Sequence, residues 1–556
     1  MFKANKVDDA ALLSSWESII GADALASLKL SPEYAFYKLV FSKINEENFK
    51  VLYSELSPTK NCPVNCLLAT LVLLQWKNLS HKEFFNQLKF NVALRVALGL
   101  KDFDEKPFVA RTLYIFKNRL SAYEAEMGIN LVANFFRDFT VEQLKAMGIK
   151  TEIQRLDTVL INSNIKAHTR LSLLVEVLVR FYRILSAEDQ QKYASWFKPY
   201  LKGGEKYVYS ISPDDYPSKL EYLAAVYYSL HQNLSEQYAD APVFKIFDRV
   251  FKEHFIVDKD AEDLPIVVRP SKELGSDILQ SPDDLDATFR NKRGDKYQGF
   301  TAMGAETCHP DNKLNLITHL ATATNNTDDS VILERELDQM KANTPDLKEL
   351  HSDGGFPSKG VDIKAEQHDI DIIQTAVKGK TAQVTIQIRG NQTEGFEGDC
   401  PNEAHPPVVA QQAGENFKVV FDLSICATCP FRDQCPTKRQ RNEKKQTATF
   451  RFGENEARKQ ERHNALQKLP PERRTLRPAV ERLMYSLRRG EKHTGKLKIR
   501  ERVNFDSYIF CMGIAINFER IYRHENRFFA FLTTAYYTMR LMSKNLKNQH
   551  LKYLFL

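Results

Sequence analysis

Strand-like segments enter this chain only after residue 150, and from there they alternate with helical ones, which narrows the fold more than any other feature. EIQRLDTVLINSN (152–164), KYQGFTAMGAET (296–307), LNLITHLATAT (314–324), LKELHSDGG (347–355) and IDIIQTAVKG (370–379) carry β-branched and apolar residues in short runs. Between them, SLLVEVLVRFYRIL (172–185) and TDDSVILERELDQM (327–340) have helical periodicity, the second with Thr327 or Asp328 placed to cap it. Strands separated by helices pack most economically as one mixed sheet, so the predicted class is α/β.

The first 135 residues read differently. SPEYAFYKLVFSKI, CPVNCLLATLVLLQWKN, SHKEFFNQL with a capping box between Ser80 and Glu83, and RTLYIFKNRLSAYEAEMG are all helical in pattern. The last places basic residues among aromatics, as a DNA-binding face would, although a packing or dimerisation domain has the same pattern. With 556 residues, 43% of them hydrophobic and 27% charged, the chain is long enough for two to four ordered domains.

Charge is unevenly placed. Residues 441–500 hold 18 Lys or Arg against 7 Asp or Glu, although the whole chain carries only +7. Such a segment reads as a polyanion contact, with nucleic acid the commonest partner. The N-terminal MFKANKVDDAALLSSWESII is broken by charge where a secretory signal is apolar, and CLLATLVLLQW is too short to span a bilayer. No membrane association and a cytoplasmic location are therefore expected. Among eight cysteines, Cys400, Cys426, Cys429 and Cys435 cluster as C-x25-C-x2-C-x5-C, a set that could hold a structural Zn2+ or remain free thiols in an insertion. Cys62 and Cys66, one helical turn apart in an apolar run, read as core.

Two carboxylates stand out. Asp157 lies within the first strand segment, and Asp353 sits where LHSDGG leaves a strand, a position a surface Asp-Gly turn explains equally well. If the two strands are adjacent the carboxylates meet, and a divalent cation would relieve their repulsion. Mg2+ suits such an oxygen site. The third acid is Glu481 in TLRPAVERLMYSLRRG, a predicted helix of about three turns between Pro478 and Gly490 that places Arg488 on the Glu481 face. An ordinary helix ion pair is the bland alternative.

These segments resemble an insertion-sequence transposase with an Asp-Asp-Glu catalytic domain, of the IS1182-like group within the IS4/IS5-type superfamily. The resemblance is carried in order by CPVNCLLATLVLLQWKNLSHKEFFNQLKFNVALRVALGL, RLDTVLINSNI, LQSPDDLDATFRNKRGDKYQGF, ELHSDGGF, CPFRDQC, RPAVERLMYSLRRG and GIAINFERI. It implies a ribonuclease H-like mixed-sheet core, with Asp157, Asp353 and Glu481 binding two Mg2+ or Mn2+ ions. Arg477, Arg488 and Arg489 would contact DNA; position 474 is Arg where the wider superfamily has Tyr.

The implied activity is hydrolysis at element ends and transfer of the 3′-OH into target DNA. Its partners would be duplex DNA bearing terminal inverted repeats, target DNA, and at least one further copy of the chain, with the protein nucleoid-associated when bound. Rival readings are a metal-dependent nuclease that never joins strands, a catalytically silent DNA-binding descendant, and a zinc-organised scaffold. The expected organisation is a helical N-terminal domain (1–135), core segments at 150–185, 271–395 and 441–520, an inserted subdomain (186–270), a cysteine-containing insertion (396–440) and a helical tail (521–556).

Overall fold

Residues Ile153–Asn162 form a ten-residue strand, β1, at the centre of a six-stranded mixed sheet. The computed structural model describes residues 2–54, 61–105, 108–258, 265–375, 384–391, 395–402, 404–442, 445–491 and 494–526. The other strands of this sheet are β2 (Thr288–Lys292), β3 (Asp295–Thr307), β4 (Ile317–Thr324), β5 (Glu349–Ser352) and β6 (Asp371–Gln374). β3 is the long member: its first residues pair with β2 and the rest with β4, while its far edge runs antiparallel to β1. On the other side of β1, β5 and then β6 run parallel to it, giving the order β4-β3-β1-β5-β6 with β2 as a hairpin extension. The two residues joining β2 to β3, Arg293 and Gly294, have φ of +57° and +96°, the geometry of a tight hairpin whose twist matches its strands.

Side chains alternate across β1, and the two faces have different covers. Leu156, Met303, Ala305, Ala321 and Leu350 point to one face, against Ile332, Leu333 and Leu337 of the helix Asp329–Asn343 and Val361 of the helix Lys359–Gln367. Val159, Ile161, Phe300, Ala302 and Leu320 point to the other, joining a core that includes Val480, Leu483, Leu487 and the apolar face of helical residues 502–526. The N-terminal helices, which continue to Ala146, contribute Leu68, Val72, Phe116 and Phe136 to that same core. They therefore share a core with the sheet. Each fully buried Leu or Phe contributes about 1.5–3 kcal/mol.

Two insertions leave this framework. Between β1 and β2, the helices Arg170–Ile184, Tyr216–Tyr238 and Pro242–His254 enclose their own core from Leu171 to Leu279, wider than 186–270 because the first helix turns its apolar side into the insertion. Between β6 and Glu481 lie two small antiparallel sheets with a core spanning Ile386 to Ala457, wider than 396–440. The helix Glu454–Lys468 ties this second insertion to the main sheet: Gln460 accepts from the Ile388 N–H (2.7 Å) and donates to the Ile386 carbonyl (2.9 Å). Arg462 on the same helix donates to Asp362 beside β6 at 2.6 and 2.8 Å. Of the expected C-terminal tail, 521–526 continues the helix and 527–556 lies outside the described residues. No described helix is long and apolar enough to cross a membrane.

Candidate active site

The parallel register brings two acids to one level. Arg155 of β1 pairs with His351 of β5, so two residues further on Asp157 stands opposite Asp353, on the same face. The opening carboxylate is thus on a rigid central strand and the second immediately past the end of β5. The third arrives from above that face. Residues Arg477–Val480 make a 3-10 turn and Glu481–Leu487 a seven-residue α-helix, so Glu481 is the first α-helical residue.

That helix is shorter than predicted, since Arg488 already caps it, and Arg488 pairs with Glu491 (2.9 Å). Gly304, directly across β3 from Asp157, makes the approach possible. A Cβ there would lie 3.1 Å from Met484 Cε and 3.2 Å from Leu483 Cδ2.

One guanidinium links all three acids. Arg477 Nη2 lies 2.5 Å from Asp157 Oδ2 and 4.0 Å from Asp353 Oδ2, and Nη1 lies 3.8 Å from Glu481 Oε1. The acids grade outward: their side chains are 14%, 35% and 72% exposed in that order. Asp157 also accepts from the Thr158 N–H (2.9 Å), and Asp353 from the Gly355 N–H (2.7 Å), so each carboxylate has one oxygen held by backbone. Burial raises the Asp157 pKa to about 6, against the lowering pull of Arg477 and the Thr158 N–H; the Asp353 charge adds to the rise.

A positive charge therefore already sits where the carboxylates converge. Among the described residues, no three His, Cys, Asp or Glu side chains are close enough together to hold an ion as they stand. The donor chemistry is nonetheless that of a hard cation: carboxylate oxygens gathered around positive charge. Glu481 is mostly exposed at the start of its helix.

A second set of charged residues on this face has no single-residue signature in the sequence. Arg155 donates through Nε to Glu306 (2.8 Å) and through Nη1 to the Leu476 carbonyl (3.0 Å), and Arg520 also reaches Glu306 (2.7 Å). This fixes the turn before Glu481 to β1. Glu349 accepts from His351 Nε2 (2.5 Å) and pairs with Arg473. Burial and Arg155 push the His351 pKa down to about 4, so a neutral imidazole donates this bond. The signal that could have found the pair is the alternation Glu349, His351, Asp353 along one strand face.

The remaining expected site residues are placed elsewhere. Arg489 makes a two-pronged pair with Glu519, at 2.5 and 3.0 Å. Arg488 and Arg489 are thus both engaged within the chain. Cys400, Cys426, Cys429 and Cys435 share one neighbourhood of the second insertion, where burial chiefly raises the Cys400 and Cys426 thiols and the nearby sulfurs add to it. Among the described residues they are not arranged as a zinc site as they stand; Cys426 Sγ lies 3.4 Å from His405 Nε2 and Cys435 Sγ 3.3 Å from Thr437 Oγ1. Cys66 is buried in the core, as its spacing suggested.

Two family models match the chain. The Transposase DDE domain covers residues 399–522, which include Glu481, Arg477 and the cysteine block, and the Transposase domain (DUF772) covers 26–119 in the N-terminal helices. Asp157 and Asp353 lie outside both matches. No curated protein and no solved structure matches the chain. Both domains are characteristic of IS1182-family transposases and indicate a DNA transposase.

Proposed function

We propose that this transposase cuts the ends of an insertion sequence by metal-dependent hydrolysis and joins the freed 3′-OH to target DNA, using Asp157, Asp353 and Glu481 to hold two Mg2+ or Mn2+ ions. The observation that carries the reading is the meeting of three carboxylates, from segments up to 324 residues apart, on the single guanidinium of Arg477. The strand order supports it, since three antiparallel strands followed by two parallel to the first is the arrangement of a ribonuclease H-like sheet. DDE transposase domains generally use divalent metals such as Mg2+.

Divalent ions bound between such carboxylates lower the pKa of an attacking water or 3′-OH and stabilise the leaving oxygen of an in-line displacement. Asp157 and Asp353, fixed by strand and backbone amide, would set the position of the reacting phosphate. Glu481 would close the site from the exposed side. Arg477 would turn from the carboxylates to the phosphate; its buried Nε–H has no partner among the described residues and is free to donate. A structural zinc is not part of the proposal, because the four thiols form no metal-holding group as they stand. Two element ends must be brought together for joining, so at least a dimer would assemble on DNA.

Incubating the protein with a labelled duplex carrying the element end, a circular plasmid and Mg2+ tests the reading. Labelled end joined to plasmid is expected; cleavage without joining would make the protein a nuclease, and binding without cleavage a silent descendant.

A further inference from the structure

At the far end of β1 from the acids, a cleft of about 580 Å3 opens between the N-terminal helices and residues 490–508. Its walls come from both matched domains, 26–119 on one side and 399–522 on the other. Lys82 enters it from the helix His81–Leu88, Lys117 from the helix Ala110–Met127, and Lys498 and Arg500 from the loop before the last helix. Among the described residues Lys82, Lys117 and Lys498 make no ion pair or hydrogen bond. Arg500 donates to the Asn164 carbonyl (2.8 Å) and lies 3.7 Å from Asp283. The acidic lining residue is Glu501.

Single unpaired surface lysines are ordinary, because water solvates them. Here three separate elements bring four cations to one concavity, and Lys117 is half-buried, which lowers its pKa. The Glu501 charge only partly offsets the cost of holding Lys117 from water, and a bound anion would offset more of it. The backbone around it is also held in place: two of the four non-glycine residues with positive φ among those described, Asn78 (+50°) and Glu501 (+69°), line this cleft.

We infer that the cleft is a second DNA-binding site, gripping the phosphodiester backbone of a duplex away from the carboxylates. Asn164 in its wall is seven residues beyond Asp157, about 20 Å at strand rise. At 3.4 Å per base pair that reach is about six base pairs, so one duplex can serve both places. The inference rests on the reading of the chain as acting on DNA, but not on its chemistry.

The test is fluorescence anisotropy of a labelled 40-base-pair duplex over a salt series. Each lost phosphate contact lowers the slope of log affinity against log salt by about 0.9. Lys82→Gln with Lys498→Gln, both exposed, is expected to lower it by about 2, and adding Lys117→Met by about 1 more, with melting of the double variant unchanged. An unchanged slope in the folded double variant, or a wild-type protein that binds no duplex, overturns the inference. A wild-type protein that cuts no DNA while the variants still lose slope defeats the catalytic reading and leaves the cleft standing.

Discussion

Replacing Arg477 with Ala removes the positive charge paired with all three carboxylates. Glu481 is 72% exposed, so its 3.8 Å contact contributes only about 0.3–0.5 kcal/mol. Asp353, 35% exposed and 4.0 Å away, contributes less than about 1 kcal/mol after screening. Asp157, 14% exposed and 2.5 Å away, dominates, and breaking such a buried pair costs about 3–5 kcal/mol. The metal-free variant should therefore lose about 4 kcal/mol. At about 2.1 cal/mol/K per residue over 556 residues, a chain unfolding as one unit would melt about 3–4 °C lower.

Mg2+ should then act more strongly on the variant than on wild type, because it need not displace a guanidinium; at 100 times its Kd it would return about 2.7 kcal/mol. Thermal melting of both proteins in EDTA and in Mg2+ decides it. An Arg477→Ala protein that melts with wild type in EDTA, or that gains no more from Mg2+ than wild type does, would refute the view of this guanidinium as the charge that balances the acids.

Other consequences can be measured separately. Gly304→Ala would press on Met484 and Leu483 and lift the helix of Glu481, costing about 1–3 kcal/mol in melting experiments and lowering cleavage more than duplex binding. Because the folded Asp157 pKa is raised to about 6, this group's contribution to metal-free stability is present below about pH 4 and is lost as pH rises towards 6. A proton competes with metal there, so calorimetric Mg2+ affinity should fall about tenfold between pH 7 and pH 5 and stay level above pH 7; equal affinities at pH 5 and 7 would remove Asp157 from the ligand set. Arg489→Ala should lower stability by breaking its pair with Glu519 while leaving the salt dependence of duplex binding unchanged, and a lower slope would return Arg489 to the DNA surface.

Much of the site was legible because strands announce themselves locally. LDTVLIN and KELHSDGG carry strand patterns, and the acids fall where those patterns put them; only the parallel register of β1 and β5, a tertiary fact, places them opposite each other. The length of the Glu481 helix was misjudged because Pro478 and Gly490 bound a segment whose first turn is 3-10 and whose last residues leave to pair with Glu491 and Glu519. Arginine-rich composition could not distinguish Arg477, which faces the acids, from Arg489, which holds the last helix. The insertion limits were drawn too narrowly because composition does not tell which core a helix such as Arg170–Ile184 packs into.

Asp353→Asn tests the central claim most directly, since it keeps size and much of the hydrogen bonding to the Gly355 N–H while removing the charge a divalent ion needs. One preparation is assayed twice, by gel shift on an element end and by Mg2+-dependent cleavage and strand joining. The account predicts that binding survives nearly intact, carried by cations spread over many phosphates, while cleavage and joining collapse together. Cleavage at the wild-type rate would contradict it and leave Asp353 as a turn residue at the end of a strand.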